Sequence, residues 1–205
     1  MGLYRAGFDV IGVDIEPQPR YPFPFVQADA LNAPLDLSQF DFIWASPVCK
    51  GYTAMKTMHN AREHPLLIEP VRAMLKSAGV HYAIENVVGA PLVNPITLCG
   101  TQFGLHDDEY ELQRHRQIET SFPVLGFQCH HQRPVLGVYG DHVRDRRRRT
   151  GSHARGLTDP PVAQAQKLMG IDWMTLRELS QAIPPAYSEF IGREALRQMG
   201  LTARR

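Results

Sequence analysis

Four short apolar runs, each closing on an acid or a tight turn, constrain this chain to an α/β fold with a mostly parallel sheet. Val10-Ile11-Gly12-Val13-Asp14 reads as a strand ending in an acid, and Phe25-Val26-Gln27-Ala28-Asp29 repeats that form. Phe40 to Ala45 makes a third run and Val80 to Ile84 a fourth. Between the last two, Leu67, Val71, Met74 and Leu75 recur at helical spacing and predict a helix over residues 65–77, with Pro70 placed to bend it. Strands interleaved with helices imply a sheet covered on both faces. The 205 residues suffice for one packed domain, 1–205. Residues 123–160 break the rhythm, being rich in Arg, His, Gly and Pro with one strand-like run, Val135 to Tyr139, and they read as a small basic insertion. Helical patterns return at 163–169, 176–181 and 184–199, the last opened by Pro184 and Pro185.

Composition excludes several classes. Hydrophobic residues make up 43%, ordinary for a soluble globular protein. No apolar stretch reaches the ~18 residues of a membrane helix, and no signal-peptide pattern opens the chain. Three cysteines, odd in number and far apart, argue against a disulfide scaffold and for a reducing, cytoplasmic setting with no membrane partner. A net charge of +1 does not advertise nucleic-acid binding, but residues 133–155 hold seven arginines against two aspartates. A local basic patch of that kind suits a phosphate backbone.

The stretch richest in chemistry is Ser46-Pro47-Val48-Cys49-Lys50-Gly51-Tyr52-Thr53, directly after the third apolar run. A cysteine on a turn just past a strand end sits where open α/β sheets place their chemistry, and Lys50 beside it favours a thiolate. The fourth run ends in Glu85-Asn86-Val87, about 36 residues later. A thiol and a carboxyl group at neighbouring strand ends form a candidate nucleophile and acid. Each also has an ordinary reading: free cysteines mostly pack, and an acid after a strand often caps the next helix. Asn86 reads as structural. Asp14 and Asp29 fit either turn chemistry or nucleotide hydroxyls and amines. Arg146 to Arg149 form either a solvated loop or a phosphate grip.

These motifs, in this order, resemble the DNA cytosine-5 methyltransferases. The resemblance implies a Rossmann-like fold dependent on S-adenosylmethionine, acting on double-stranded DNA in a bacterial or phage-infected cell. It assigns Cys49 as nucleophile and Glu85 as the acid at the base. Leu112-Gln113-Arg114-His115-Arg116 is similar to the family's Gln-x-Arg-x-Arg motif, so Arg114 and Arg116 would clamp base and phosphate; the other reading is a solvated helix face. Asp14 and Ile15, Asp29 and Ala30, and Pro47 would border the cofactor. Lys50, Arg144, Arg146, Arg147, Arg148 and Arg149 would grip DNA, with residues 50–60 closing over the base about a hinge at Gly51. Ile183-Pro184-Pro185 resembles the family's closing motif.

The departures carry expectations of their own. Val48 stands where the family has proline, Leu112 where it has glutamine, and Gln181-Ala182 where it has Gly-Asn. The family's first strand and glycine-rich cofactor loop would precede Gly2 to Phe8, which resembles the helix after that loop. The chain is therefore expected to be truncated, completed by another chain, or inactive, and to be poorly stable and weak in cofactor binding. The rivals are a DNA-binding remnant without catalysis and a methyltransferase acting on RNA. Cys129-His130-His131 invites a zinc reading, but adjacent residues without a paired Cys-x-x-Cys lack suitable spacing. No metal is expected, and Cys99 is expected in the core.

Overall fold

The computed structural model describes residues 1–52, 64–138 and 161–201. The described elements run α1 (Gly2–Ala6), β1 (Gly12–Asp14), β2 (Phe25–Gln27), β3 (Phe42–Ala45), α2 (Ile68–Ala78), β4 (His81–Asn86), β5 (Ile96–Leu98), β6 (Arg116–Thr120), α3 (Val162–Met169), α4 (Leu176–Gln181) and α5 (Pro185–Gln198). The fold is α/β, as expected. The four apolar runs become β1 to β4 in order, each trimmed to the residues that find a partner. Val135 to Tyr139 does not form a strand over its described part: Val135 makes only an isolated bridge to Glu111, and Tyr139 lies outside the described residues.

The strands form two sheets rather than one. β1 and β2 pair parallel with each other, while the larger sheet has the order β3-β4-β6-β5. In the larger sheet β3 and β4 pair parallel, and β6 runs antiparallel to both β4 and β5. Three of its four strands thus share a direction, with β6 inserted against them. Neither β5 nor β6 is marked by an apolar run long enough to announce a strand: β6 reads Arg-Gln-Ile-Glu-Thr. The pairing partners, not the sequence pattern, make these segments extended.

Alternation along β4 divides the core. Ala83 faces one cluster with Phe42, Leu98, Ile118, Phe122, Tyr187 and Ile191, which packs the sheet on α5. Tyr82 and Ile84 face the other way, onto Val71 and Leu75 of α2. That is the period-2 rule for a strand buried on both faces. Pro70 falls in the first turn of α2, which begins at Ile68, so its missing N–H removes no helical bond and it does not bend the helix. Leu31, just after β2, also packs on the α2 cluster and ties the small sheet to the larger layer. A third cluster joins Leu112, Leu136 and Val138 to α3 and α4. α1 packs on α5 so closely that a Cβ on Gly2 would lie 2.0 Å from the Pro185 carbonyl oxygen, so only glycine fits.

On the α2 side, a buried ion pair locks helix to sheet. Arg72 donates through Nε and Nη2 to the two carboxylate oxygens of Glu119, both at 2.7 Å, and through Nη2 to the Pro91 carbonyl at 2.9 Å. Glu119 also accepts the Val93 N–H at 2.8 Å. Burial pushes the Glu119 carboxyl up, but the Arg72 hydrogen bond, the Val93 N–H and the Arg72 charge outweigh it and hold the group below its ordinary value. Breaking such a pair on one side leaves a buried charge alone. Arg72→Met should lower stability by about 3–5 kcal/mol. Arg72→Met combined with Glu119→Leu should recover most of that loss, read as the midpoint of urea unfolding.

Candidate active site

The register of β3 and β4 builds the site. Ala45, the last residue of β3, lies opposite Ile84, so the chain leaves β3 at Ser46 just as β4 reaches Glu85. Both segments emerge at the carboxyl ends of parallel strands, the edge where open α/β sheets bind ligands. The Ser46 side chain hydrogen-bonds Glu85 and accepts the Trp44 indole N–H at 2.9 Å. Asn86, 1% exposed, donates its amide to the Pro47 carbonyl at 2.9 Å, and its own oxygen accepts the Val87 N–H at 3.0 Å. The asparagine is structural, as its sequence context suggests: it fastens the turn that carries Cys49. Pro47 contributes that carbonyl.

Cys49 is partly buried and opens a single 3-10 turn, Lys50–Tyr52, in which the Tyr52 N–H returns to the Cys49 carbonyl at 2.9 Å. The Tyr52 hydroxyl accepts the Ile68 N–H at 3.0 Å, anchoring the turn to the start of α2. Gly51 is not in a left-handed conformation. A Cβ there would come 2.9 Å from the end of the Leu66 side chain and 3.3 Å from the His64 carbonyl oxygen, so the turn lies close against residues 64–66. Residues 53–60 of the expected closing segment lie outside the described residues, as do Arg144, Arg146, Arg147, Arg148 and Arg149.

Glu85 and Arg116 meet. Glu85 lies opposite Ile118 in the antiparallel ladder, which makes Arg116 its diagonal neighbour on the same face. Arg116 Nε stands 2.9 Å from the Glu85 carboxylate, and Arg116 Nη1 donates to the His115 carbonyl at 3.0 Å. Burial, with only 5% of Glu85 exposed, pushes its carboxyl up despite the opposing pull of Arg116, the Ser46 hydrogen bond and Arg114. A carboxyl group that holds its proton above the ordinary range can share it with a ring nitrogen.

Arg114, expected to clamp base or phosphate, is 4% exposed and turns its guanidinium onto backbone carbonyls. Its Nη2 donates to the Ser180 carbonyl at 2.9 Å and also to Ala182, and its Nη1 donates to Val138. The Tyr187 hydroxyl, wholly buried, donates to the Arg114 carbonyl at 2.9 Å. Burial first, then the neighbouring Arg116 charge, lowers the guanidinium to about 9. Arg114 is a positioning residue that ties the start of β6 to the α4–α5 junction. Leu112 and Arg114 are both buried and residues 112–115 lie outside any helix, so the solvated-helix reading of this segment does not hold.

Of the expected cofactor residues, Asp14, Ile15, Asp29 and Ala30 lie at or just past the ends of the small sheet, whereas Pro47 follows β3 of the larger one. Asp14 ends β1 and accepts the Glu16 N–H at 2.9 Å. Asp29 caps a 3-10 turn that begins at Ala30, accepting the Leu31 N–H at 3.0 Å and the Asn32 amide at 2.9 Å. Both acids follow the carboxyl ends of adjacent parallel strands, and Ile15 beside Asp14 is 65% exposed. Two surface hollows, of about 350 and 460 Å³, are lined by other residues than these.

A second polar cluster lies beyond the β5–β6 edge and takes in Cys129 and His131, whose zinc reading the sequence spacing alone argued against. Cys99 is buried as expected, but it too stands just past a strand, so Cys49 is not alone in that placement. The ligand atoms of Cys99, His115, Cys129 and His131 all lie within 4.8 Å of one another. No spacing rule could have found it, because the four residues come from three separate segments. No family model matches the chain, no curated protein is significantly similar to it, and no solved structure matches its fold. No helix among the described residues is long and apolar enough to cross a membrane.

The state of Glu85 has a sign that can be checked. Its folded pKa lies above the ordinary 4.5, so the folded chain binds this proton more tightly than the unfolded one. Stability therefore falls as pH rises from about 4.5 through the raised folded value, and stays lower above it. Glu85→Gln should raise the melting temperature at neutral pH, and the gain should vanish below pH ~4.5. Thermal melts of both proteins across that range read the difference.

Proposed function

We propose that this protein transfers a methyl group from S-adenosylmethionine to carbon-5 of a cytosine in DNA. The observation that carries the reading is the buried Glu85–Arg116 ion pair at the carboxyl end of β4, with Asn86 fastening the turn that holds Cys49 to the strand that bears the acid. It joins the two segments whose sequences resemble the cytosine-5 methyltransferases. The Rossmann-like form of the α/β fold belongs to the same proposal.

Carbon-5 of cytosine is a weak nucleophile. The Cys49 thiolate would add to carbon-6 and make the ring an enamine; carbon-5 would take the methyl group as S-adenosylhomocysteine leaves, and loss of the carbon-5 proton to a base would break the carbon-6–sulfur bond and restore both ring and thiolate. The Glu85 carboxyl, whose hold on a proton burial strengthens, would donate to ring nitrogen-3 and offset the charge that develops there. Arg116, paired with Glu85, fixes the orientation of that carboxyl and offers its guanidinium to the oxygen at carbon-2. S-adenosylmethionine supplies the methyl group on a positively charged sulfur. Asp14 and Asp29, two acids at the ends of adjacent parallel strands, would hold it by accepting from its hydroxyl and amine groups. The target base must leave the duplex stack to reach a partly buried thiol. The arginines of 144–149 would hold phosphates.

One observation favours the remnant reading, in which DNA is bound without turnover. β1 and β2, which carry Asp14 and Asp29, share no ladder with the sheet that carries Cys49 and Glu85. Titration calorimetry with S-adenosylmethionine separates the two, since a remnant releases no heat.

DNA containing 5-fluorocytosine should form a covalent, denaturant-resistant complex with the protein in the presence of S-adenosylmethionine. Cys49→Ser should abolish that complex, and Glu85→Gln should slow methyl transfer by about 10²–10⁴-fold. A complex that survives Cys49→Ser would remove Cys49 from the mechanism.

A further inference from the structure

We infer that Cys99, His115, Cys129 and His131 form a structural zinc site that clamps the 127–133 loop to the start of β6. Four ligand atoms of two kinds converge on one point. Cys129 Sγ lies 3.4 Å from His115 Nε2 and 3.3 Å from His131 Nε2, and Cys99 Sγ lies 3.7 Å from His131 Nε2. Zinc–sulfur bonds of about 2.3 Å and zinc–nitrogen bonds of about 2.0–2.1 Å, set at the tetrahedral angle, put sulfur and nitrogen about 3.6 Å apart. The three measured edges straddle that value. Two thiolates and two imidazoles are a ligand set that closes a structural zinc site and leaves no position for water.

The backbone is built to hold these atoms. Leu98 pairs with Arg116 in the β5–β6 ladder, so the next step outward sets Cys99 opposite His115. Gln102 accepts the Cys99 N–H at 2.8 Å and donates its amide to the Phe127 carbonyl, linking the first ligand to the loop that brings the third. His131 is oriented from behind. Its Nδ1 stands 2.5 Å from the Glu111 carboxylate, whose side chain is 2% exposed, and this leaves Nε2 to face the sulfurs. The same carboxylate accepts the Gln132 and Arg133 N–H groups at 2.9 and 3.1 Å. A carboxylate behind a histidine fixes its tautomer and strengthens it as a metal ligand. As a thiol, Cys99 donates to the Gln113 carbonyl at 2.9 Å and lies 3.3 Å from the Thr101 hydroxyl; metal binding replaces that S–H donation, while the Thr101 hydroxyl can donate to the thiolate.

On binding, each thiol releases its proton to solvent and the sulfur donates a lone pair to the ion. Two thiolates cancel the charge of Zn²⁺, so the filled site is neutral. His115 lies between Arg114 and Arg116, so the clamp holds the strand that bears the Glu85 partner. It also fixes the loop leading toward the arginine-rich segment.

The test needs neither DNA nor cofactor, so its outcome stands apart from the methyl-transfer reading. The full chain, purified from zinc-supplemented cells without a metal-affinity tag, should carry about one zinc per chain by atomic absorption. Cys129→Ser and His131→Gln, both partly exposed positions, should each lose it, whereas Cys49→Ser should keep it. Cobalt loaded in place of zinc should show the intense visible bands of a tetrahedral thiolate site, and Cys129→Ser should weaken the charge-transfer band. Chelation should lower the melting temperature and expose two further thiols to a thiol reagent. Zinc below a tenth of stoichiometric, a Cys99–Cys129 disulfide in fresh protein, or metal retained in both ligand variants would each overturn the assignment.

Discussion

Strand β6 runs against its neighbours, and because a strand presents successive side chains to opposite faces, this one five-residue element distributes the chemistry of the molecule. Ile118 enters the core shared with α5, while Glu119 turns to the other face and takes Arg72 from α2. Arg116, two residues before Ile118 on the same face, reaches Glu85 on β4. Arg114 continues that face into the α4–α5 junction, and His115 between them meets Cys129 beyond the sheet edge. A slip of one residue in the β4–β6 register would reverse every one of these assignments.

The buried charges divide by how well they are answered. Arg72 and Glu119 form a bidentate pair with further backbone partners, so both stay ionised and lock helix to sheet. Glu85 has Arg116 beside it, yet burial prevails and its carboxyl moves upward. Arg114 spends its terminal nitrogens on three carbonyls, and its Nε is buried with no partner among the described residues. An acid displaced upward at the carboxyl edge of a parallel pair is what a proton-sharing site requires, whereas a fully answered pair is what a scaffold requires. The fold keeps the two kinds on opposite faces of the same sheet.

The turn after β3 shows how a motif becomes a site. Read as a sequence, Ser46 to Thr53 carries a cysteine on a turn, and Glu85-Asn86 an acid at a strand end. In the fold, Asn86 reaches across to Pro47 and Ser46 reaches Glu85, so the two motifs hold each other in place. Gly51 lies close against Leu66 at the start of the chain's approach to α2. The small sheet with Asp14 and Asp29 joins this arrangement through Leu31 and α2, by apolar packing and not by a shared ladder.

The sequence by itself determined β1 to β4, the helix after Cys49 and the C-terminal helices, because apolar periodicity and proline placement are local signals. It also marked Cys49, Glu85 and Arg116, since each stands beside a strand whose pattern is readable or within a recognisable motif. It could not reveal β5 and β6, whose short, polar-rich segments become strands only by pairing. Nor could it separate Arg114 from Arg116, two arginines in one motif, one spent on backbone carbonyls and the other on a carboxylate. The Cys99, His115, Cys129 and His131 cluster was least legible of all, because Cys129 and His131 gain their other two partners from distant segments only once β5 and β6 pair and Glu111 holds the 131–133 backbone. Local patterning fixes which segments can be elements. Long-range pairing alone decides which polar side chains come to share a point in space.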